Sequence, residues 1–169
     1  KVFNGTAFPN RYTGTYSNNA WIPLIQSQVD ASPKADIEMV YSLDPVTREL
    51  KASIKVTMLE TVNNSLSFNL YIIEDSLTGN GSQWDQHNYL TNRAGWEFSP
   101  YYSLPAVLYN YYHRHVARAL IGGAWGEPGE FTNPAIKDAM YSHYFETTLD
   151  PTWNLSRIKF IGIVSINEA

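Results

Sequence analysis

From residue 36 onward, apolar and polar side chains alternate along much of the chain. Ile37, Met39, Tyr41 and Leu43 stand at every second position, as do Leu50, Ala52, Ile54, Val56 and Met58, which are separated by Lys51, Ser53, Lys55 and Thr57. Successive side chains of an extended strand point to opposite faces, so this period of two predicts strands over 37–43 and 50–58. The residues between them, Asp-Pro-Val-Thr-Arg-Glu, have the composition of a turn. A third strand, 66–73, gathers Leu66, Phe68, Leu70 and Ile72 on one face. Two more are predicted at 143–149 and 157–166, the latter aligning Ile158, Phe160, Val164 and Ile166. The lysine-bearing face of 50–58 fits an antiparallel sheet that is wet on one side.

Other segments carry other periods or none. Trp21, Leu24, Ile25 and Gln28/Val29 fall at offsets of three and four, which predicts a short one-sided helix over 21–31, capped by Asn18 or Asn19 and stopped at Ser32-Pro33. Residues 1–20 are broken by Gly5, Pro9 and Gly14 and read as one brief strand and a loop. Over 75–105 there is no sustained period, and glycines and prolines recur. A loop of this length inside a compact domain marks a functional or mobile segment. Residues 106–121 are long and apolar enough for a strand, and Asn133-Pro134 predicts a short helix reaching about Tyr141, with asparagine as cap and proline at the first helical position. Together these elements predict a mainly β fold, an antiparallel β-sandwich with one or two short helices.

Composition narrows the partners. The 169 residues suffice for one sizeable core, since a chain of this size buries roughly 70% of its unfolded surface without help from disulfides or a structural metal. There is no cysteine, which excludes a disulfide scaffold, a cysteine nucleophile and cysteine-ligated zinc. A net charge of −4 leaves no basic stripe for phosphates, so neither nucleic acid nor an anionic membrane surface is an expected partner. Charged residues make up 17%, against about 25% in ordinary globular domains; tyrosine, asparagine, serine and threonine cover the surface instead. No apolar run approaches the roughly 20 residues needed to span a bilayer. A start at Lys1, with no signal-like segment, suggests an excised piece of a longer chain.

The candidate chemistry lies mostly between residues 75 and 130. His113 and His115, two apart on the predicted strand, would share a face. That is a metal-ligand spacing, but a zinc site needs further ligands from His87, His143 or a distant carboxylate. The plainer reading makes the two histidines part of a polar strand surface. The acid pairs Glu74/Asp75 and Glu127/Glu130 have the residue types for glycoside hydrolysis, although adjacent acids are common on any surface. No Gly-x-Ser-x-Gly elbow is present. Gly122, Gly123, Gly126 and Gly129 match neither a P-loop nor a dinucleotide fingerprint and read as turn residues. The stronger signal is aromatic: Trp84, Tyr89, Trp96, Phe98, Tyr101 and Tyr102 fall in the long loop, and Trp125 follows the tyrosine-rich strand. Such rings offer large rigid contact area with a polar handle. Trp84, Tyr89, Trp96 and Trp125 are therefore the expected ligand contacts; the plainer reading has several of them closing a satellite core. No catalytic residue and no cofactor is expected.

The run Tyr-Tyr-His-Arg-His-Val-Ala-Arg-Ala-Leu-Ile-Gly-Gly-Ala-Trp-Gly-Glu-Pro resembles a Bacteroidetes family of 28 kDa outer-membrane lipoproteins, as do the strand ending in Glu74-Asp75 before it and the strand 157–166 after it. The points of likeness are His115, Val116 and Arg118, then the turn Gly123-Ala124-Trp125-Gly126, within a match over roughly 36–166. The resemblance implies an immunoglobulin-like sandwich over 33–169. It implies that residues 1–32 are the tail of a preceding thioredoxin-like domain, with Pro9 at the position that is cis in thioredoxins. It further implies an outer-membrane surface protein held by a lipid anchor outside this chain and acting without catalysis as an adhesin or receptor for a protein or glycan. Asp75-Ser76-Leu77 is similar to the short O-glycosylation acceptor of that phylum. A glycan-binding module using the loop aromatics, and a metal-dependent enzyme at His113 and His115, are the competing expectations.

Overall fold

The computed structural model describes residues 25–27 and 29–167, together with the backbone of Val2–Phe3 and Thr6–Ala7. The chain divides into two units at Lys34/Ala35. In the first, β1 (Val2–Phe3) pairs antiparallel with β2 (Thr6–Ala7). The residues around Gln26 are helical, Asp30 N donating to Gln26 O over 2.8 Å. Pro9, Trp21, Leu24 and Gln28, and with them most of the proposed thioredoxin-like tail, lie outside the described residues.

The second unit is the predicted antiparallel β-sandwich. β3 (Ala35–Leu43), β4 (Glu49–Met58) and β5 (Ser65–Glu74) lead into a long loop that contains the short strands β6 (Gln86–His87) and β7 (Val107–Leu108); β8 (Val116–Leu120), β9 (Met140–Thr148) and β10 (Ile158–Asn167) complete the fold. One sheet has the order β3-β4-β9 and the other β10-β5-β8, all antiparallel, with β6 and β7 forming a separate small ribbon. Six strands in a three-plus-three arrangement compare with seven in a constant-type immunoglobulin domain.

Strand parity builds the core. Leu50, Ala52, Ile54, Val56 and Met58 of the central strand β4 face Leu66, Phe68, Leu70 and Ile72 of the central strand β5, and all of them are buried. Each of these side chains larger than Ala52 contributes roughly 1.5–3 kcal/mol on leaving water, before entropy is counted. Gly162 on β10 keeps the sheets close, since a Cβ there would stand 3.0 Å from Ile54 Cδ1 on the opposite sheet.

β5 is buried on both faces, because Ser67 and Asn69 on its outer side are covered by residues 122–126. The chain leaving β8 still pairs with β5 at Ile121, whose N–H donates to Leu70 O (2.9 Å), and pairs again at Glu127, which exchanges two hydrogen bonds with Phe68 (2.7 and 2.8 Å). Residues 122–126 are therefore an excursion from one edge strand, folded over the sheet. Asn69 grips it by donating to Gly123 O (2.7 Å) and accepting from Gly122 N (3.1 Å), and Ser67 Oγ donates to Trp125 O (2.7 Å). Gly126 has φ 75°, and a Cβ there would lie 2.6 Å from Phe68 O, so only glycine fits so close to the sheet.

Two predicted elements differ. The strand expected over 106–121 exists only as β7 and β8. Between them Asn110 and His115 adopt left-handed φ of 53° and 51°, and the backbone bonds to the loop instead: Tyr111 N donates to Trp84 O, and His113 exchanges two bonds with Leu77. The helix expected over 133–141 is absent. Ala135 exchanges two hydrogen bonds with Val62, and Asp138 N donates to Met58 O, so this segment satisfies its backbone across the sheet end instead of along a helix.

Candidate aromatic binding surface

The long loop is ordered by polar side chains that bind backbone. Asn88, which is buried, donates through Nδ2 to the carbonyls of Tyr101 (2.8 Å), Leu104 (3.3 Å) and Pro105 (3.1 Å), while its Oδ1 accepts from Leu90 N (3.1 Å). Thr91 Oγ1 adds bonds to Asn88 O and Leu104 O, and the β6–β7 ribbon ties the two ends together. Successive turns then carry residues 92–102, with Trp96, Ser99 and Tyr102 each donating to a carbonyl three residues back. Asn88→Ala is expected to cost about 2 kcal/mol, since it strands buried carbonyls. Amide exchange over 88–106 should quicken while that of β4 and β5 stays slow; uniform acceleration would contradict this role for Asn88.

On this frame the rings divide into two sets. Trp84 is half-buried: a Cβ on Gly79 would lie 2.4 Å from its indole, and His113 packs against it at 6.1 Å. It is a peg of the loop rather than a contact surface, and Tyr102 is half-buried too. Tyr89, Phe98 and Trp125 are 80%, 79% and 82% exposed, with Tyr109 and Tyr112 also exposed. Trp96 is partly shielded by Phe98, on which it stacks at 5.6 Å, and by Arg93 6.0 Å from its ring. Trp125 sits at the tip of the 122–126 excursion.

The histidines do not gather. His113 lies between Trp84 and Tyr111, its Nε2 3.3 Å from Trp84 O, and the left-handed His115 no longer shares a strand face with it. His87 lies beside Tyr89, and His143 Nε2 is 2.8 Å from Glu127 Oε2. Among the described residues, no group of three or more histidines or carboxylates is placed to hold a metal ion. The acid pairs are likewise each engaged by neighbours. Glu74 accepts from Asn154 N and faces Arg118, Asp75 pairs with Arg114, and Glu130 accepts from Ser142 N and Oγ.

Glu74 and Asp75 root the loop where it leaves β5. Burial pushes the Asp75 carboxyl up, but the N–H of Ser76, the charge and hydrogen bond of Arg114 and the N–H of His115 outweigh it and hold the group below the ordinary carboxylate range. Asp150 is lowered by the hydroxyl and N–H of Thr152, and Asp44 by the N–H groups of Thr47 and Val46. Carboxyls with folded pKa values below their unfolded ones stabilise fully above the unfolded value, near 3.9, and lose that contribution as pH falls through the folded value. Thermal melts should therefore be flat near neutrality with respect to these groups and decline below about pH 4. A decline already complete at pH 6 would contradict the assignment.

No known protein family, characterised protein or solved structure matches this chain. No helix among the described residues is long and apolar enough to cross a membrane.

Proposed function

We propose that this chain is the non-enzymatic sandwich domain of an outer-membrane surface lipoprotein, an adhesin or receptor that recognises its ligand through the aromatic rings of loop 75–115. The observation that carries the reading is the exposure of Tyr89, Phe98, Tyr109 and Tyr112 on a loop whose order comes from other residues. Aromatic surface displayed this way keeps apolar area in water, a cost that ligand burial relieves. The surface-lipoprotein part of the reading draws on the likeness at Glu74-Asp75, His115-Val116, Arg118 and the Gly123–Gly126 turn. A lipid anchor outside this chain would supply the membrane attachment, and Asp75-Ser76-Leu77 would be the acceptor for an attached glycan.

Adhesion tests the reading. Beads coated with the chain are expected to bind cultured epithelial cells, and beads coated with the Trp96→Ala/Phe98→Ala variant to bind several-fold less. Equal adhesion of the two would refute the role given to these rings.

A further inference from the structure

One compartment of the loop has a more specific chemistry. Gln86, His87, Asn88, Tyr89, Leu90, Tyr101, Leu108 and Tyr111 surround a cleft of about 310 Å³, at the small end of the range for small-molecule sites. We propose that this cleft binds a short neutral saccharide, one or two hexose units, stacked on Tyr89 and hydrogen-bonded by Gln86 and the Tyr101/Tyr111 hydroxyl pair. The proposal rests on the surface-binding reading above and names the ligand class for that loop.

Three observations support it. First, the walls are built before any ligand arrives. The β6–β7 ribbon pairs Gln86 with Leu108 and His87 with Val107, and the Asn88 amide fastens the floor to the 101–105 backbone. A site already rigid spares the ordering cost of binding. Second, the polar groups are the right kind. The lining has no acid, lysine or arginine, so neither an anion nor a cation finds a fixed counter-charge, whereas an amide, an imidazole and two phenols offer both donors and acceptors to hydroxyl groups. Tyr101 and Tyr111 hydroxyls stand 3.3 Å apart. Their shared hydrogen bond holds Tyr111 above the ordinary phenol range, and the pair keeps one hydroxyl proton for a ligand. Third, Tyr89 is 80% exposed, with the His87 ring beside it at 6.1 Å, which leaves a flat apolar platform for the C–H face of a pyranose. A proline-rich peptide also favours tyrosines, but it needs a row of apolar slots along an extended groove, and this is a single compartment edged with amides.

Saturation-transfer NMR on the full chain provides the test, with methyl glycosides of glucose, galactose, mannose and N-acetylglucosamine, lactose and cellobiose as probes, and a proline-rich peptide as comparison. At least one sugar is expected to receive saturation on its ring protons. Its affinity should fall about tenfold in Tyr89→Ala and severalfold in Tyr101→Phe, and should not change in Val46→Ala, on the exposed turn between β3 and β4. No transfer to any of these sugars at about 20 mM, roughly twentyfold above the weak end of ordinary KM values, overturns the proposal. So does transfer that survives Tyr89→Ala and Tyr101→Phe, or saturation of the peptide alone. Adhesion lost in Trp96→Ala/Phe98→Ala would in those cases still uphold the surface-binding reading, so the two fail separately.

Discussion

Phe68→Ala is expected to destabilise the sandwich by about 3–5 kcal/mol. Phe68 is fully buried on the central strand β5, and its ring stacks on Phe131 at 4.3 Å and lies 5.7 Å from the His143 ring. Two features make the site unable to collapse around a cavity. The Phe68 backbone holds both bonds to Glu127, so β5 cannot shift without releasing the 122–126 excursion. Gly129 lies so close that a Cβ there would stand 2.7 Å from the Phe68 ring, which means the 127–131 segment is shaped to the phenyl group. Urea denaturation should show a lower midpoint with unchanged slope. A loss under about 1 kcal/mol would mean the loop repacks freely and that its close fit to β5 is not what holds it.

Arg118→Met is the second large effect, about 3 kcal/mol, and its cause is electrostatic. Glu74 is 3% exposed. One carboxylate oxygen accepts from Asn154 N at 3.0 Å, while Oε2 has no hydrogen-bond partner and faces Arg118 Nη1 at 3.5 Å. The guanidinium is itself held 5.1 Å from the centre of the Trp153 ring. Removing the arginine leaves a buried carboxylate without its counter-charge, which costs more than the pair contributes when intact. The double variant Glu74→Gln/Arg118→Met should accordingly recover part of the loss, because no uncompensated charge remains. A double variant as unstable as the sum of the singles would show instead that the two residues act independently.

The strands were legible because burial on one face imposes a period of two. Residues 37–43, 50–58 and 66–73 fall within β3, β4 and β5, and 157–166 matches β10 except at Arg157. The same parity held a signal that went unused. Glu74 continues the Leu66-Phe68-Leu70-Ile72 face of β5, and a carboxylate on an inward face requires a partner. That partner is Arg118, which meets Glu74 as a largely buried ion pair. The loop was less legible, because its order comes from Asn88 and Thr91 bonding to carbonyls more than ten residues away, which leaves no period in the sequence. For the same reason 109–115 read as strand: its apolar and aromatic composition is strand-like, but its backbone partners are Trp84 and Leu77. Of the expected contact residues, Tyr89 and Trp125 stand exposed, Trp96 is partly shielded and Trp84 is a packing element of the loop. Composition alone could not separate these roles.

If the exposed rings serve recognition, they are surplus to folding, and the melting temperature of Trp96→Ala/Phe98→Ala measures that directly. The account predicts a melting temperature within about 2 °C of the unchanged chain, since Phe98 is 79% exposed and the ring stacked on Trp96 is Phe98 itself, and each degree reflects only a fraction of a kcal/mol. A fall of 8 °C or more, equivalent to several kcal/mol for a domain of this size, would place the two rings in a satellite core and contradict the recognition surface.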